Sequence, residues 1–588
     1  MKRRAVLAAS IAALVAAVLI AVSGGFAASV GGVRVSARSW SLPAAAAATL
    51  LLAWSASAWR SGGVRDDLAW FGGWLETNGQ RVAFAIALCS CLAALWFATY
   101  SANGADASGY LSQAEMWSRL ETRRFDELLG LPDWRLPPSA TTPLGWRPAV
   151  ERGWQVPTYA PGLPLLMAIP HAIAGTVGAA WMVAIAAGVA VLAASAIAAR
   201  LGGGVAALLT ALLLATSPTF LIHAFQPMSD VPVTAAWALC WWFVIDGSPL
   251  SAGMAAAVAV AVRPNLAPLA AIPLAVVMRA YPAGKRTTAG AWFSLPVACA
   301  GALVAFVQWR WYGSPLTSGY GSAGDLFRVA NIPSNAQLYA QWIWQAEPAF
   351  VCTLAAALVV SRVARRDALP ARQGAPHTAG STRPAPSPVA GLLVFAAAVI
   401  VAYLVYAVFE VWTYVRFLLP ALAVVSALAA AAIAAALRRL PQTIRAAGIV
   451  ALALTISATA LHTARELGVF QIAAVTARAR EAGALLQQKI AARAVMLTSE
   501  QSGSMRYLTG RSVLRWDALD RTALRTSLAL LDAQGYEVWW VLDQFEEPLV
   551  RTRFAGVPEA ALDWKPEVEA GPLMRTRGWR VPKRRSPD

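Results

Sequence analysis

Long apolar runs recur from residue 5 to residue 462, and a soluble core could not bury them all. Runs of roughly 17 to 22 residues are span-length. They fall near 5–23, 42–59, 83–100, 178–199, 204–222, 231–246, 289–308, 349–361, 390–408, 417–437 and 446–462. The stretch 252–280 is interrupted by Arg263-Pro264-Asn265 and reads as two short helices meeting at a break. The expected total is about thirteen spans. With 58% hydrophobic and 14% charged residues in 588, a bilayer must supply the solvent. The 25 tryptophans gather near span ends and in the loops between, where an amphipathic ring suits the lipid–water boundary.

The net charge of +18 does not point to nucleic acid, because the basic residues are scattered in short loops and form no aromatic-interleaved stripe. They read as topology determinants. Lys2-Arg3-Arg4, Arg60 and Arg65, Arg200, Lys285-Arg286, Arg362 with Arg365-Arg366, and Arg438-Arg439 fall at alternate junctions, which marks those junctions as cytoplasmic. The loops 101–160, 223–230, 309–347 and 409–416, and everything after about 463, are then expected outside. The first segment also fits a cleaved signal peptide, and its removal leaves the other loops on the same sides. The five cysteines lie in or beside apolar runs without metal-ligand spacing, so no disulfide framework is expected.

Three regions follow: 1–82 with N-terminal spans, 83–463 as the main membrane module, and 464–588 as a polar unit. Residues 364–388 are rich in Pro, Ala, Ser and Arg and read as a cytoplasmic linker. In the last region strand and helix signals alternate, with AVMLTS at 494–499, a helix near 518–534 and YEVWWVLD at 536–543. The fold class is therefore an all-α polytopic membrane protein carrying a small extracytoplasmic α/β domain. That domain has no Gly-rich phosphate loop, no His and no Cys, so catalysis is not expected there; it recognises acceptor or covers the site. The basic stretch Arg575 to Arg585 reads as a frayed, solvated end or a head-group contact.

Ionisable groups near span ends are costly unless something uses them. Asp106, in GADASGYLSQAEMW, opens the sixty-residue loop after the third span. On a helix it shares one face with Tyr110, Gln113 and Trp117, while Glu115 is turned about 180° away and is no partner for it. Asp230, in HAFQPMSDVPVTAAW, precedes an apolar helix with Pro232 in its first turn. Both acids also suit helix capping. His223 is a weaker candidate, since a lone His beside an apolar run is commonly packed or capping. Arg263 sits at the break, and Arg416 lies in EVWTYVRFLLP with Glu410 at its head. An interfacial Arg snorkels to head groups or holds a phosphate in its guanidinium fork. Tyr159 leads YAPGLP into the apolar piece 163–175, which is too short to span and reads as interfacial or re-entrant.

Together these motifs resemble a family. The D-x-x-x-Y-x-x-x-A segment at Asp106, the Y-x-P-G-x-P at Tyr159, MSDVP at Asp230, RPN at Arg263, the YGSPLTSGYG loop (Tyr312 to Gly321) and E-x-W-x-Y-x-R-F-L-L-P at Glu410 keep their order and membrane side. From about 83 to 440 the chain resembles bacterial GT-C glycosyltransferases, in the branch of protein O-mannosyltransferases and the lipid A aminoarabinose transferase. The resemblance implies transfer of a sugar from a polyprenyl-phosphate carrier at the outer face of a bacterial cytoplasmic membrane. The acceptor is a lipid, a glycan or a protein, and no nucleic acid is involved. It implies Asp106 as general base for the acceptor hydroxyl, with inversion. Asp230 is implied as a second acid that shapes the site or holds a divalent cation, and Arg416 and Arg263 as charges for the departing phosphate. The chain departs from the pattern by two extra N-terminal spans and by lacking an acid adjacent to Asp106. A secondary transporter is the alternative from another class, and a surface-polysaccharide ligase or polymerase a third. Convergence of Asp106, Asp230 and Arg416 on one outward cavity with a lipid-wide lateral opening separates the first reading from the second, which calls for a central site reachable from both sides.

Overall fold

A computed structural model describes residues 2–23, 25–30, 33–37, 39–372 and 388–582. A helix stands at each expected span. Among the described residues, six helices are long and apolar enough to cross a membrane: Ser41–Arg60, Val64–Trp96, Gly162–Ala215, Ala283–Tyr312, Trp412–Leu437 and Gln442–Glu466. Four shorter apolar helices, Asp230–Ile245, Pro249–Val262, Pro264–Ala280 and Pro388–Leu404, fill the bundle. A further pair, Gly324–Ala346 and Pro348–Arg362, bends by 100°. At that elbow Glu347, 3% exposed, accepts hydrogen bonds from Ser217 Oγ (2.7 Å) and the Thr219 amide (2.9 Å). An apolar bundle tolerates a buried carboxylate only with such donors.

The piece 163–175 is the first segment of a helix that runs from Gly162 to Ala215 and breaks at Ala174-Gly175 and at Gly203, where the glycines take φ of +57° and +74°. Glycine supplies a conformation there that an L side chain resists. The third expected span begins well before residue 83, because Val64–Trp96 is one continuous helix. A hairpin, Phe26–Val30 with Val33–Ala37, joins the first two helices and was not legible as strand. The expected linker 364–388 is helical up to Arg372, and 373–387 lie outside the described residues.

Helices approach through small residues. A Cβ on Gly79 would lie 2.3 Å from Gly204 O, one on Gly202 2.7 Å from Ala431 Cα, and one on Gly253 2.3 Å from Phe293 O. Such close backbone approach is the packing available where apolar burial gives helices no drive to associate. The two N-terminal helices are tied to the third by Asp67, fully buried, which accepts from Arg3 Nη2 (3.0 Å) and Trp54 Nε1 (3.1 Å).

The loop 101–160 is structured. It contains the helix Gly104–Ser118 and a three-stranded antiparallel sheet with Trp154–Pro157 between Arg124–Phe125 and Trp146–Pro148. The C-terminal unit is a five-stranded mixed sheet. Its order is Ser512–Leu514, Ala494–Leu497, Glu537–Asp543, Thr576–Arg580, Val568–Ala570. The first three strands are parallel and the last two join antiparallel. The basic end is thus corrected: Thr576–Arg580 is an interior strand with Trp579 2% exposed, its alternation of Thr, Gly and Arg having hidden the pattern. Residues 583–588 lie outside the described residues.

The unit docks by the carboxyl ends of its parallel strands. Arg478 holds Asp543 through two bonds (3.1 and 3.0 Å), Gln501 Nε2 donates to Asp543 (2.9 Å) and to Asn103 Oδ1 (3.2 Å), and the Leu144 amide donates to Ser502 Oγ (3.0 Å). Beside them Glu546, 2% exposed, accepts from the amides of Asp543 (2.9 Å) and Glu500 (3.2 Å) and from the Trp516 indole (3.1 Å). Burial pushes its carboxyl up to about 7, and burial also raises that of Asp126 in the loop packed on this unit. The folded unit thus keeps protons that the unfolded chain releases above about pH 4.5. Their contribution is complete below that pH and is lost as pH rises through about 7. Hydrogen exchange of the strand Glu537–Asp543 is expected to show weaker protection against global opening at about pH 8 than at about pH 5 after correction for intrinsic rate. Equal or rising protection would contradict the assignment.

Candidate active site

The helix Gly104–Ser118 begins at Asn103, whose side chain turns to Gln501 and so leaves the first turn to Asp106. A Cβ on Gly145, at φ +88°, would meet Gly109 Cα at 2.7 Å, so the loop lies directly on this helix. That contact brings Tyr159 over Asp106, and its hydroxyl donates to Oδ1 at 2.7 Å. The Tyr159 ring lies 4.5 Å from Tyr110 and 5.9 Å from Tyr320 of the external Tyr312–Gly321 loop. Tyr110 in turn donates to Ser229 Oγ (2.8 Å), the residue before Asp230.

Asp230 opens the helix Asp230–Ile245 and is 1% exposed. Its carboxylate is bonded by Arg263 from the broken helix, and Arg416 Nε stands 3.7 Å away. Arg416 also bridges to Asp106, with Nη2 2.8 Å from Oδ2. The four groups form an alternating chain, Asp106, Arg416, Asp230, Arg263, assembled from four separate elements. Aromatic faces support both cations: Arg416 lies 4.7 Å from the Tyr414 ring centroid and 5.2 Å from that of Phe417, and Arg263 also lies 5.2 Å from the Phe417 centroid. Tyr403, buried in the helix Pro388–Leu404, stacks on Phe417 at 4.8 Å and accepts from Arg263 Nη1 (3.4 Å) and Asn265 Nδ2 (3.3 Å).

All of these line one cavity of about 670 Å³, open at the end of the bundle where the C-terminal unit sits. Arg515 of that unit, Arg147 of the small sheet, and Val307, Gln308 and Trp311 of the helix Arg286–Tyr312 complete its wall. The structure brings Asp106, Asp230, Arg263, Arg416, Tyr110 and Tyr159 to one cavity wall. Two candidates fall away. Glu410 is exposed and outside the cavity wall, because the turn before Trp412 directs it outward. His223 is 2% exposed and off the wall, with Nδ1 2.7 Å from Thr219 O one turn back on its own helix, the packed role open to it from the outset. Glu115 pairs with Arg119 (2.8 Å) and Arg124 (2.6 Å), apart from Asp106 as its helical phase requires. Ser229, Asn265 and Tyr320 sit in recognised motifs but were not singled out. Tyr403 gave no signal beyond a hydroxyl in an apolar run.

The donor set does not suit the divalent cation that the resemblance implies. Asp106 and Asp230 are each met by guanidinium groups, and Arg416 occupies the bridging position between them. Among the described residues no cluster of three His, Cys, Asp or Glu offers a metal cage.

Burial separates the two acids. Asp230 lies at 1% side-chain exposure between two cations, and removing one partner of such a pair costs about 3–5 kcal/mol. Asp106 is 29% exposed, and its pairing is worth about 1 kcal/mol or less. Asp230→Asn is expected to lower the thermal unfolding midpoint in detergent markedly, and Asp106→Asn to leave it near wild type. A reversed order would refute this ranking.

No protein-family model and no curated protein matches the sequence. Solved structures do. ArnT from Cupriavidus metallidurans bound to undecaprenyl phosphate aligns with TM-score 0.54 at 13% identity, covering 85% of this chain and 98% of that one. Its apo state gives 0.50 at 14% identity over the same shares. The Archaeoglobus fulgidus oligosaccharyltransferase, tethered to an acceptor peptide containing the NVT sequon, gives 0.50 at 13% identity, covering 79% and 69%. Both proteins are GT-C glycosyltransferases, and at these identities the likeness is one of fold. The chain is a multi-pass membrane protein with the GT-C fold.

Proposed function

We propose that this protein is a glycosyltransferase that moves a sugar from a polyprenyl-phosphate carrier to an acceptor hydroxyl at the outer face of a bacterial cytoplasmic membrane. The observation that carries the reading is the ion pair between Asp106 and Arg416 on the cavity wall, with Arg416 backed by Asp230. Likeness in fold to ArnT bound to undecaprenyl phosphate supports the donor class.

The reaction is a single displacement. Asp106 takes the proton of the acceptor hydroxyl, the acceptor oxygen bonds to the anomeric carbon from the face opposite the phosphate, and the carbon–oxygen bond to phosphate breaks with its electron pair leaving on the lipid phosphate. The anomeric centre inverts. A neutral hydroxyl is a poor nucleophile until a base relieves it of its proton. The pairing with Arg416 gives that proton transfer an electrostatic consequence. As Asp106 becomes neutral, its hold on Arg416 weakens at the moment the lipid phosphate gains its second negative charge. A guanidinium that strengthens its contact only then stabilises the transition state over the ground state. Asp230, buried, keeps Arg416 and Arg263 in place, while Tyr159 and Tyr110 orient Asp106. Convergence of these groups on one cavity at one end of the bundle favours a transferase over a transporter, whose site is expected near mid-membrane.

Transfer from radiolabelled polyprenyl-phosphate sugars is the test, in membranes with matched protein levels. Asp106→Asn is expected to reduce transfer by about 100- to 10,000-fold, with Arg416→Gln lowering turnover as well. Undiminished transfer by Asp106→Asn would remove it as the base, and no transfer by wild type from any donor would overturn the reading.

A further inference from the structure

The C-terminal sheet turns one end of its strands toward the membrane, and protein covers only part of that end. At the strand Ser512–Leu514 the external loop covers it, with the Arg515 amide donating to Ala140 O (2.7 Å), and Asp543 is covered by Gln501 and Arg478. Toward the opposite edge of the sheet lie Thr576–Arg580 and Val568–Ala570. There the chain runs on past the paired residues Asp543 and Thr576 as two tips, Gln544-Phe545 and the turn 571–575. The Gln544 amide donates to Arg575 O (2.9 Å), so the tips lie side by side. Phe545 and Leu573 on the tips, and Leu549 in the helix Glu547–Arg553 that follows, are exposed, as are Pro548 and Pro572.

Packing on the bundle sets the height of these tips. The helix Val64–Trp96 ends at Trp96, an exposed indole where a span meets the lipid–water boundary. Just past it Ser101 Oγ donates to Thr476 O (3.2 Å), in the helix Ile472–Lys489. Arg478 of that helix bonds Asp543 and lies against Gly571, where an added Cβ would stand 2.6 Å from Arg478 Cβ. Phe545 and Leu573 are therefore close to the level at which the spans end, at the sheet edge opposite the one that carries Arg515 to the cavity. Around them the charged side chains pair with one another: Arg575 with Glu569, and Arg577 with Glu547 (3.0 Å) and Glu569 (3.5 Å). What the tips offer is apolar surface, not a basic patch.

We infer that Phe545, Leu549 and Leu573 seat the C-terminal unit on the phospholipid bilayer that its own spans cross, by apolar contact at the head-group boundary. Exposed apolar side chains gathered at one place mark a contact with protein or membrane. At this height a water-soluble partner would have to displace lipid, whereas the bilayer is already alongside. The sheet then rests on two supports, protein beneath Ser512–Leu514 and lipid beneath the opposite edge. Asp543 and Gln501 lie between them, so the lipid contact resists tilting of the unit about the bond from Gln501 to Asn103. The inference does not depend on the reaction that the cavity performs. Because the charges at the tips are paired, the contact is expected to be indifferent to anionic lipid and to salt.

The test places the full chain in lipid nanodiscs of phosphatidylcholine, with and without phosphatidylglycerol, its five native cysteines replaced by serine. An environment-sensitive fluorophore is attached at Leu573→Cys or, as control, at Ala533→Cys, an exposed site where the helix Arg521–Ala533 ends, before the strand end that points away from the bundle. The Leu573 probe is expected to emit at shorter wavelength than the Ala533 probe and to be quenched by a nitroxide lipid, equally in both lipid mixtures and at high salt. Phe545→Asp is expected to abolish most of that quenching. In the chain with its native cysteines, benzoylphenylalanine placed at Leu573 is expected to cross-link to phosphatidylcholine on irradiation, and at Ala533 not to. Quenching at Leu573 no greater than at Ala533 overturns the inference. So does cross-linking to a second copy in place of lipid, and quenching that needs phosphatidylglycerol overturns the apolar contact in favour of an electrostatic one.

Discussion

The arrangement hangs on one guanidinium held between two carboxylates. Arg416 touches Asp106 on the cavity side and approaches Asp230 on the buried side, and Arg263 completes the alternation. Charges at that depth in an apolar bundle are expensive singly and tolerable only as a compensated set. Each member arrives from a different element: the helix after the third span, the start of the Asp230–Ile245 helix, the Arg263 break, and the 3-10 turn Trp412–Leu418. The buried acid, Asp230, is accommodated only where Arg263 and Arg416 meet it, whereas the more exposed Asp106 joins the set from the cavity side. Both arginines reach the acids from irregular backbone, the Arg263 break and the turn Trp412–Leu418.

The C-terminal unit takes part in that construction. The carboxyl ends of parallel strands commonly present ligands to solvent, but here they present Gln501, Ser502 and Asp543 to the helix and loop that carry Asp106 and Gly145. Gln501 joins Asp543 to Asn103, so the first turn of the Asp106 helix is referenced to the sheet of a different domain. Arg515 reaches the cavity wall from the same unit. A domain with no Gly-rich phosphate loop still helps to set where Asp106 stands.

Much of this was legible in the sequence because membranes make polarity conspicuous. Asp106, Asp230, Arg263 and Arg416 each interrupt or border an apolar run, and each lies in the site. What one-dimensional reading lacked was pairing: nothing local says that Arg416 rather than Arg263 meets Asp106, since the two are equivalent until the bundle closes. Glu410 was misplaced for the same reason, as a motif position does not reveal which side of an irregular turn faces inward. Tyr403 was hidden because a tyrosine in an apolar span is ordinary packing until its hydroxyl finds Arg263 and Asn265. The strand Thr576–Arg580 escaped because its two arginines dominated a segment whose buried positions are Thr, Gly and Trp.

The glycine and alanine contacts between spans carry one more implication. At Gly79 against Gly204, Gly202 against Ala431 and Gly253 against Phe293, main chain meets main chain, and much of the buried face of Gly162–Ala215 is alanine. Glycine and alanine have no side-chain rotamers to release. Warming such an interface populates few alternative packings, so the spans have little means of drifting apart by degrees. The spacing between the helices that hold the acids and the arginines is consequently insensitive to temperature up to the point where the bundle opens as a whole.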